Sequence, residues 1–264
     1  MSIHPTSVVS EKAILGKNVI IGPYCCVGAE VVLEDGVFLH SHVVVEGHTH
    51  IGKDSVVFPF ASLGKAPQSL SYQGEITSLR IGHNTIIREH ATLHRGTAKG
   101  GGETVIGSHC FLMVGAHVAH DCMLGDHVVL SNHATLGGHV VLGDHVTLGG
   151  LTAVHQFTRI GEGAMLGGFS AIEKDIIPYG MVNGRRGGLA GINARKLRSL
   201  HFSREEISAL YAAYEWIFSA STDPLMQRMH ALPPDLLAFP SVQKVHDFIL
   251  TATQRPLCLP QDLS

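Results

Sequence analysis

The 264-residue sequence predicts an all-β solenoid of parallel strands, followed by a C-terminal α-helical segment. Three observations carry this. Aliphatic residues recur at every sixth position from Ile3 to Leu63 and again from Ile106 to Ile172. Glycine is frequent one position after the aliphatic, as at Gly16, Gly22, Gly107, Gly125 and Gly143. The repeat stops at Pro178, beyond which the capping box Ser203-Arg204-Glu205-Glu206 opens a helical pattern.

A period of six is neither the 3.6 of a helix nor the 2 of a simple strand, so it reads as a short strand plus a turn, repeated. Three such units close a triangular coil of 18 residues. Stacked coils pair about 4.8 Å apart and bury the aliphatic slot as one column. Each fully buried Val, Leu or Ile contributes roughly 1.5–3 kcal/mol. The frame breaks twice. Ser69 and Glu75 place polar residues in the aliphatic slot, which predicts a loop over 65–80. Leu93 to Ile106 is thirteen residues, no multiple of six, so 94–105 bulges out, led by Arg95-Gly96-Thr97. Residues 1–180 are therefore assigned to the solenoid and 181–264 to a helical domain. Within the latter, 180–200 is Gly-rich and basic, with Arg185, Arg186, Arg195, Lys196 and Arg198. The helix after Ser203 is expected to bury Ile207, Leu210, Tyr211, Tyr214 and Ile217 or Phe218, and further helices are expected near 224–231 and 241–252.

Composition narrows the function. A formal net charge of −3 and a pI near 6.7 offer no basic field for nucleic acid. No apolar run reaches the about 18 residues of a membrane span, and the start Met1-Ser2-Ile3-His4-Pro5 does not resemble a secretory leader. The five cysteines form no metal or redox motif, which points to free thiols in a reducing cytoplasm.

Nineteen histidines invite a metal reading, and the repeat frame sorts them. Eight (His42, His48, His90, His109, His127, His133, His139, His145) fall three positions after the aliphatic, at a turn, where a solvated corner is expected for most, His139 excepted. His117, His120 and His155 occupy other positions. One coil after His120 stands Gly138, and one coil further Gln156. A glycine beside an imidazole leaves space and a backbone N–H where a carbonyl could sit, and His titrates near neutrality, so His120 is a candidate general base. Asp121 follows it directly. On an extended strand neighbours point to opposite faces, so whether Asp121 orients the ring is left open. No two histidines are five apart, which argues against a zinc site of the His-x-x-x-x-His type, and no metal is expected. A non-catalytic scaffold is the remaining bland alternative.

The repeat resembles that of the hexapeptide-repeat acyltransferases, which implies a left-handed parallel β-helix. The stretches His117-Val118-Ala119-His120-Asp121-Cys122, Leu136-Gly137-Gly138-His139-Val140, Ala153-Val154-His155-Gln156-Phe157, Leu93-His94-Arg95-Gly96-Thr97 and Phe202-Ser203-Arg204-Glu205 are similar to those of the acyl-acyl-carrier-protein:UDP-N-acetylglucosamine O-acyltransferase family of lipid A synthesis. That resemblance implies His120 as base and the Gly138 N–H as oxyanion donor. It implies Gln68, His117, His139, His155, Gln156, Asn193 and Arg198 as substrate-binding residues, and Gly168 as the position that limits acyl length. It further implies a homotrimer, a UDP-sugar acceptor, and an acyl carrier protein bearing phosphopantetheine as donor, with no other cofactor. The basic 185–204 segment would suit that acidic carrier. The chain departs from the family at Ser69, Ser71, Arg195 and Ser199-Leu200, where charged residues of other kinds are usual. An alternative is a paralogous N- or O-acyltransferase acting on a different, amino, sugar nucleotide.

Overall fold

The computed structural model describes residues 1–184, 188–219, 223–251 and 254–260. The repeat folds as a left-handed parallel β-helix with a triangular cross-section. One face is an eleven-stranded sheet that starts at Ser2–Ile3. The second has nine strands from Val8–Val9 to Ala171–Ile172, and the third has eight from Ile14–Leu15 to Arg159–Ile160. Most strands are two residues long, because the chain must turn a corner every six. Register is set by the coil: Val118 pairs with Leu136 and Leu136 with Val154, each 18 residues on. The aliphatic slot is sealed inside, with Leu63, Leu93, Leu112, Val118, Leu130, Leu136 and Leu148 all fully buried. Small residues fill the inner corners. There the thiols of Cys25, Cys110 and Cys122 donate to the carbonyls of His40, Gly125 and Gly137.

The turn histidines are mostly solvated, as expected: His42, His48, His90, His109, His127 and His133 are exposed. Seven of the eight turn histidines have left-handed backbone, with φ from 56° to 61°. Histidine shares with Asn and Asp an enrichment in that region. His48 is the exception, because Gly47 takes the positive φ there. Stacking one corner on the next then places rings in register. His109, His127 and His145 form a ladder with centroids 4.9 and 4.7 Å apart and planes within 8° of parallel. His42 and His90 sandwich Phe60. These solvated corners thus also stack as ring columns.

The two excursions leave from the same edge, between the nine-stranded and eight-stranded faces. The first occupies 66–77, between strands Ser62–Lys65 and Ser78–Ile81. The second occupies 95–102, between Thr92–His94 and Glu103–Ile106, and contains a 3-10 turn at Ala98–Gly100.

Past Ile172 the chain stays attached to the prism longer than its glycine-rich composition suggests. Gly180–Asn183 straddles the division drawn at 180 and pairs with Met165–Leu166. Gly188–Ile192 then pairs antiparallel with it. The helices are α1 (Ala194–Ser199), α2 (Arg204–Ile217), α3 (Leu225–His230), α4 (Pro234–Leu237) and α5 (Pro240–Leu250). Ser203 caps α2 by accepting from the Glu206 N–H at 3.1 Å. Its buried face is Ala209, Leu210, Ala213 and Ile217, whereas Tyr211 is exposed, since one residue turns the helix by about 100°. Arg185 and Arg186 lie outside the described residues.

Because each rung contacts only its neighbours, a cavity in mid-stack is not relieved by distant repacking. Leu130→Ala should lower unfolding free energy by about 2–5 kcal/mol, read from the denaturant midpoint at unchanged m-value.

Candidate functional site

The site lies on the edge from which both excursions leave. His120 sits just after strand His117–Val118, and its neighbour Asp121 is itself a corner residue with φ +61°. This overturns the strand-alternation argument: in the left-handed corner the two side chains converge instead of diverging. His120 Nδ1 lies 2.7 Å from Asp121 Oδ2. An ionised carboxylate only accepts, so the proton rests on Nδ1 and Nε2 keeps its lone pair.

Asp121 is buried and fully engaged. Its Oδ1 accepts from the Thr97 N–H at 2.7 Å and its Oδ2 from the Thr97 hydroxyl at 2.6 Å. Its own N–H donates to Thr104 Oγ1 at 2.8 Å. Arg95-Gly96-Thr97 is therefore not a solvated loop: Thr97 is buried, and Arg95 turns inward to donate to the Gly64 carbonyl and the Tyr72 hydroxyl, both at 2.8 Å.

Gly138 stacks on His120 as the spacing requires. A Cβ placed there would lie 2.6 Å from His120 Cε1, so any side chain would displace the imidazole. Among the described residues nothing accepts the Gly138 N–H, while its neighbours are bonded: Gly137 N–H donates to the Val154 carbonyl and His139 N–H to that of His120. A free backbone donor thus sits beside an imidazole with a free lone pair.

Further histidines line this edge. His139 meets the His120 ring edge-on at 5.2 Å, places Nε2 3.6 Å from Asp121 Oδ2, and stacks on Phe157 at 4.4 Å. Burial lowers its pKa, with Asp121 opposing and His120 adding to the shift. His117 Nδ1 is 2.7 Å from Thr92 Oγ1, and burial lowers its pKa as well. His94 lies behind it, edge-on at 5.3 Å. Burial, with His117, His120 and Arg95 nearby, pushes His94 down to about 4. His155 and Gln156 are exposed two rungs below Ala119 and His120, where Arg255 from the C-terminal segment donates to His155 Nδ1 at 2.5 Å and to the Gln156 carbonyl at 2.9 Å. Gln68 is exposed on the first excursion, and beside it Ser69 and Ser71 bond to each other at 3.1 Å.

Three expected residues lie away from this edge in the same chain. Gly168 is at the corner between Met165–Leu166 and Ala171–Ile172, where a Cβ would meet the Gly150 carbonyl at 3.1 Å. Asn193 is buried and caps α1, accepting from the Lys196 N–H at 3.1 Å and donating to the Gly163 carbonyl at 3.0 Å. Arg198 is exposed on α1.

Among the described residues, one cluster has a metal-ligand composition: His120, Asp121 and His139. Both Asp121 oxygens already accept from Thr97 or His120, so the cluster is built as a hydrogen-bonded relay.

Comparison with known proteins gives the family. A family model described as UDP N-acetylglucosamine O-acyltransferase, domain 2, matches residues 175–258, and one for the bacterial transferase hexapeptide, six repeats, matches 103–138. The acyl-[acyl-carrier-protein]–UDP-N-acetylglucosamine O-acyltransferase of Caulobacter vibrioides is 50% identical over 99% of both chains. The chain belongs to the UDP-N-acetylglucosamine O-acyltransferase family. The Rhizobium johnstonii relative of the same name is 43% identical over 98% of this chain and 94% of its own length. The Campylobacter jejuni UDP-N-acetylglucosamine acyltransferase structure superposes with a TM-score of 0.92 at 37% identity, covering 98% of this chain and all of that one. The Arabidopsis enzyme does so with 0.86 at 32%, covering 97% and 99%. This chain is accordingly an acyltransferase. Motif spacing brought out the juxtaposition of His120 and Gly138. It did not bring out the contacts of Asp121 with Thr97 and Thr104 or the burial of His94, although the resemblance quotes all of these but Thr104.

In the unfolded acyltransferase His94 takes up a proton near pH 6.5, while in the folded protein it resists until about 4. Its share of stability is present above about pH 6.5 and is lost as pH falls toward 4. Urea midpoints across that window should fall more steeply for the native protein than for His94→Gln; parallel curves would contradict the assignment.

Proposed function

We propose that this acyltransferase transfers a fatty acyl group, a 3-hydroxyacyl chain by family resemblance, from acyl carrier protein to the 3-hydroxyl of UDP-N-acetylglucosamine, the first step of lipid A synthesis. The observation that carries this is the His120–Asp121 pair at 2.7 Å, with the Gly138 N–H unoccupied alongside. Relatives matching along nearly the whole chain bear the name of that reaction.

The geometry supports a specific sequence of events. His120 Nε2 takes the proton of the sugar hydroxyl as its oxygen bonds to the thioester carbonyl carbon. The carbonyl electrons move onto oxygen, and the Gly138 N–H donates to that oxyanion, a contribution of roughly 3–4 kcal/mol for one such donor. Collapse re-forms the carbonyl and breaks the C–S bond, and the pantetheine sulfur leaves with the proton held on His120. Asp121 accepts the hydrogen bond from Nδ1–H throughout, the proton staying on the ring, and stabilises the transient imidazolium.

The acceptor contacts assigned by resemblance are Gln68, His117, His139, His155 and Gln156 around this edge, with Asn193 and Arg198 away from it. Residues apart in one chain meet at one site if further copies present them, which supports a homotrimer. The exposed Arg195, Arg198 and Arg204 suit an acidic carrier protein. No helix among the described residues is long and apolar enough to cross a membrane; we place the reaction in the cytoplasm, where its donor is made. Ser69 and Ser71 bond to each other and bring no charge to the acceptor loop, which keeps a 3-amino sugar nucleotide and amide product as the second reading. Mass spectrometry of products from matched hydroxy and amino acceptors separates the two.

Replacing the base should remove its catalytic share: His120→Ala should lower kcat by about 10²–10⁴-fold with the fold intact by circular dichroism. Retention of activity would reject His120 as base. Gly168 leaves the acyl groove open, so chains longer than about ten carbons should be preferred, and Gly168→Met should move the optimum to shorter acyl carrier protein substrates. A native preference for about ten carbons or fewer would contradict this.

A further inference from the structure

Two segments interrupt an otherwise strict repeat, and they are wired to each other and to the base. The second excursion is anchored by Thr97. Its N–H and hydroxyl hold both oxygens of Asp121, at 2.7 and 2.6 Å, and the oxygen bonded by the hydroxyl is the one that accepts from His120 Nδ1. Thr97 is itself fixed by the turn it caps, accepting from the Gly100 N–H at 3.1 Å through Oγ1 and from the Gly102 N–H at 2.8 Å through its carbonyl. Gly100 lies so close to the Asp121 carboxylate that no Cβ fits there. Two residues before Thr97, Arg95 spans from the Gly64 carbonyl to the Tyr72 hydroxyl, and that hydroxyl donates to the Glu75 carbonyl at 2.8 Å. Between them the Gly96 N–H donates to the Ser78 carbonyl at 3.1 Å, where the first excursion rejoins the prism. Polar contacts therefore run from His120 through Asp121 to Thr97, and two residues back along the same backbone from Arg95 to Tyr72, on the loop that carries Gln68.

We propose that residues 95–97 are the positioning element of the active site: Thr97 fixes the Asp121 carboxylate and with it the His120 tautomer, while Arg95, through Tyr72, fixes the acceptor loop relative to that base. The proposal rests on the reading of His120 as base and adds to it two positioning residues that touch no substrate. A carboxylate held by one partner can rotate and carry the imidazole with it; held at both oxygens it cannot. A displacement of about 1 Å at a reacting group is enough to cost on the order of a hundredfold in rate. Attaching the acceptor loop to the same three residues gives the sugar hydroxyl and Nε2 a common reference.

The test compares Thr97→Val, Thr97→Ser and Tyr72→Phe in the full-length enzyme with acyl carrier protein thioester and UDP-N-acetylglucosamine, measuring kcat and acceptor KM across pH. Thr97→Val should lower kcat about tenfold or more with acceptor KM within about twofold, the pattern of a lost transition-state interaction. It should also move the acidic limb of the kcat/KM profile to higher pH, because a carboxylate relieved of one donor favours the imidazolium more strongly. Thr97→Ser, which keeps the hydroxyl, should restore both. Tyr72→Phe should raise acceptor KM severalfold, leaving kcat and the acidic limb unmoved. A Thr97→Val enzyme with native kcat and limb overturns the proposal, as does a loss that Thr97→Ser fails to restore. If Thr97→Val does not fold, Tyr72→Phe decides: an unchanged acceptor KM overturns the coupling. His120→Ala in the same assay keeps the two questions apart. Activity in that variant defeats the base assignment, whereas its inactivity beside an unaffected Thr97→Val defeats the positioning role alone.

Discussion

The molecule depends on one constraint: after each 18 residues the chain must return to the same place one rung further on. The closed stack of parallel strands satisfies backbone hydrogen bonds from coil to coil, as from Val129 N–H to the Val146 carbonyl at 2.9 Å. It also turns a sequence period into a spatial column, so that an aliphatic at every sixth position becomes a sealed core. The candidate site uses the same rule. His120 and Gly138 are adjacent because they are one coil apart, and the imidazole has room because the rung beyond it carries no side chain. The geometry of the candidate site is a by-product of translation along the helix axis, which is why it is rigid.

Where the repeat governs, the sequence was legible. The prism, its buried column, the places where the frame breaks and the His120–Gly138 neighbourhood all follow from counting residues. Where local backbone departs from the repeat, counting misleads. Asp121 was left undecided because alternation on a strand sends neighbours apart; it sits instead in a left-handed corner, where its carboxylate folds back onto the His120 ring. Thr97 lies in a stretch that obeys no period, so nothing in its spacing announced that it would hold both carboxylate oxygens. The strand pair Gly180–Asn183 and Gly188–Ile192 was hidden by glycine-rich composition, and became a strand pair because the prism end offered it a template. Tyr211 was assigned to the buried face of α2 one position out of phase, at a site where an aromatic looks apolar on paper and is exposed in fact.

The histidine content has two separate origins, and only the fold distinguishes them. His109, His127 and His145 answer a backbone demand for positive φ and then gain from ring stacking. His94, His117 and His120 cluster around one edge with their titration depressed or their protons assigned by a partner. His139 belongs to both groups: it turns a corner at φ +61° and faces Asp121. A residue placed by backbone geometry thus also serves the site.

The thiols at the inner corners carry a chemical consequence. Burial pushes Cys110 up to about 11 and Cys122 up to about 12, and raises Cys25 as well. Only the thiolate attacks disulfides, peroxides or soft metals, so at neutral pH these sulfurs behave as small aliphatic groups with a weak S–H donor. The protein can carry a cysteine directly after Asp121 without exposing the prism to oxidants. Redox sensitivity at these sulfurs is suppressed by the same packing that holds the rungs together.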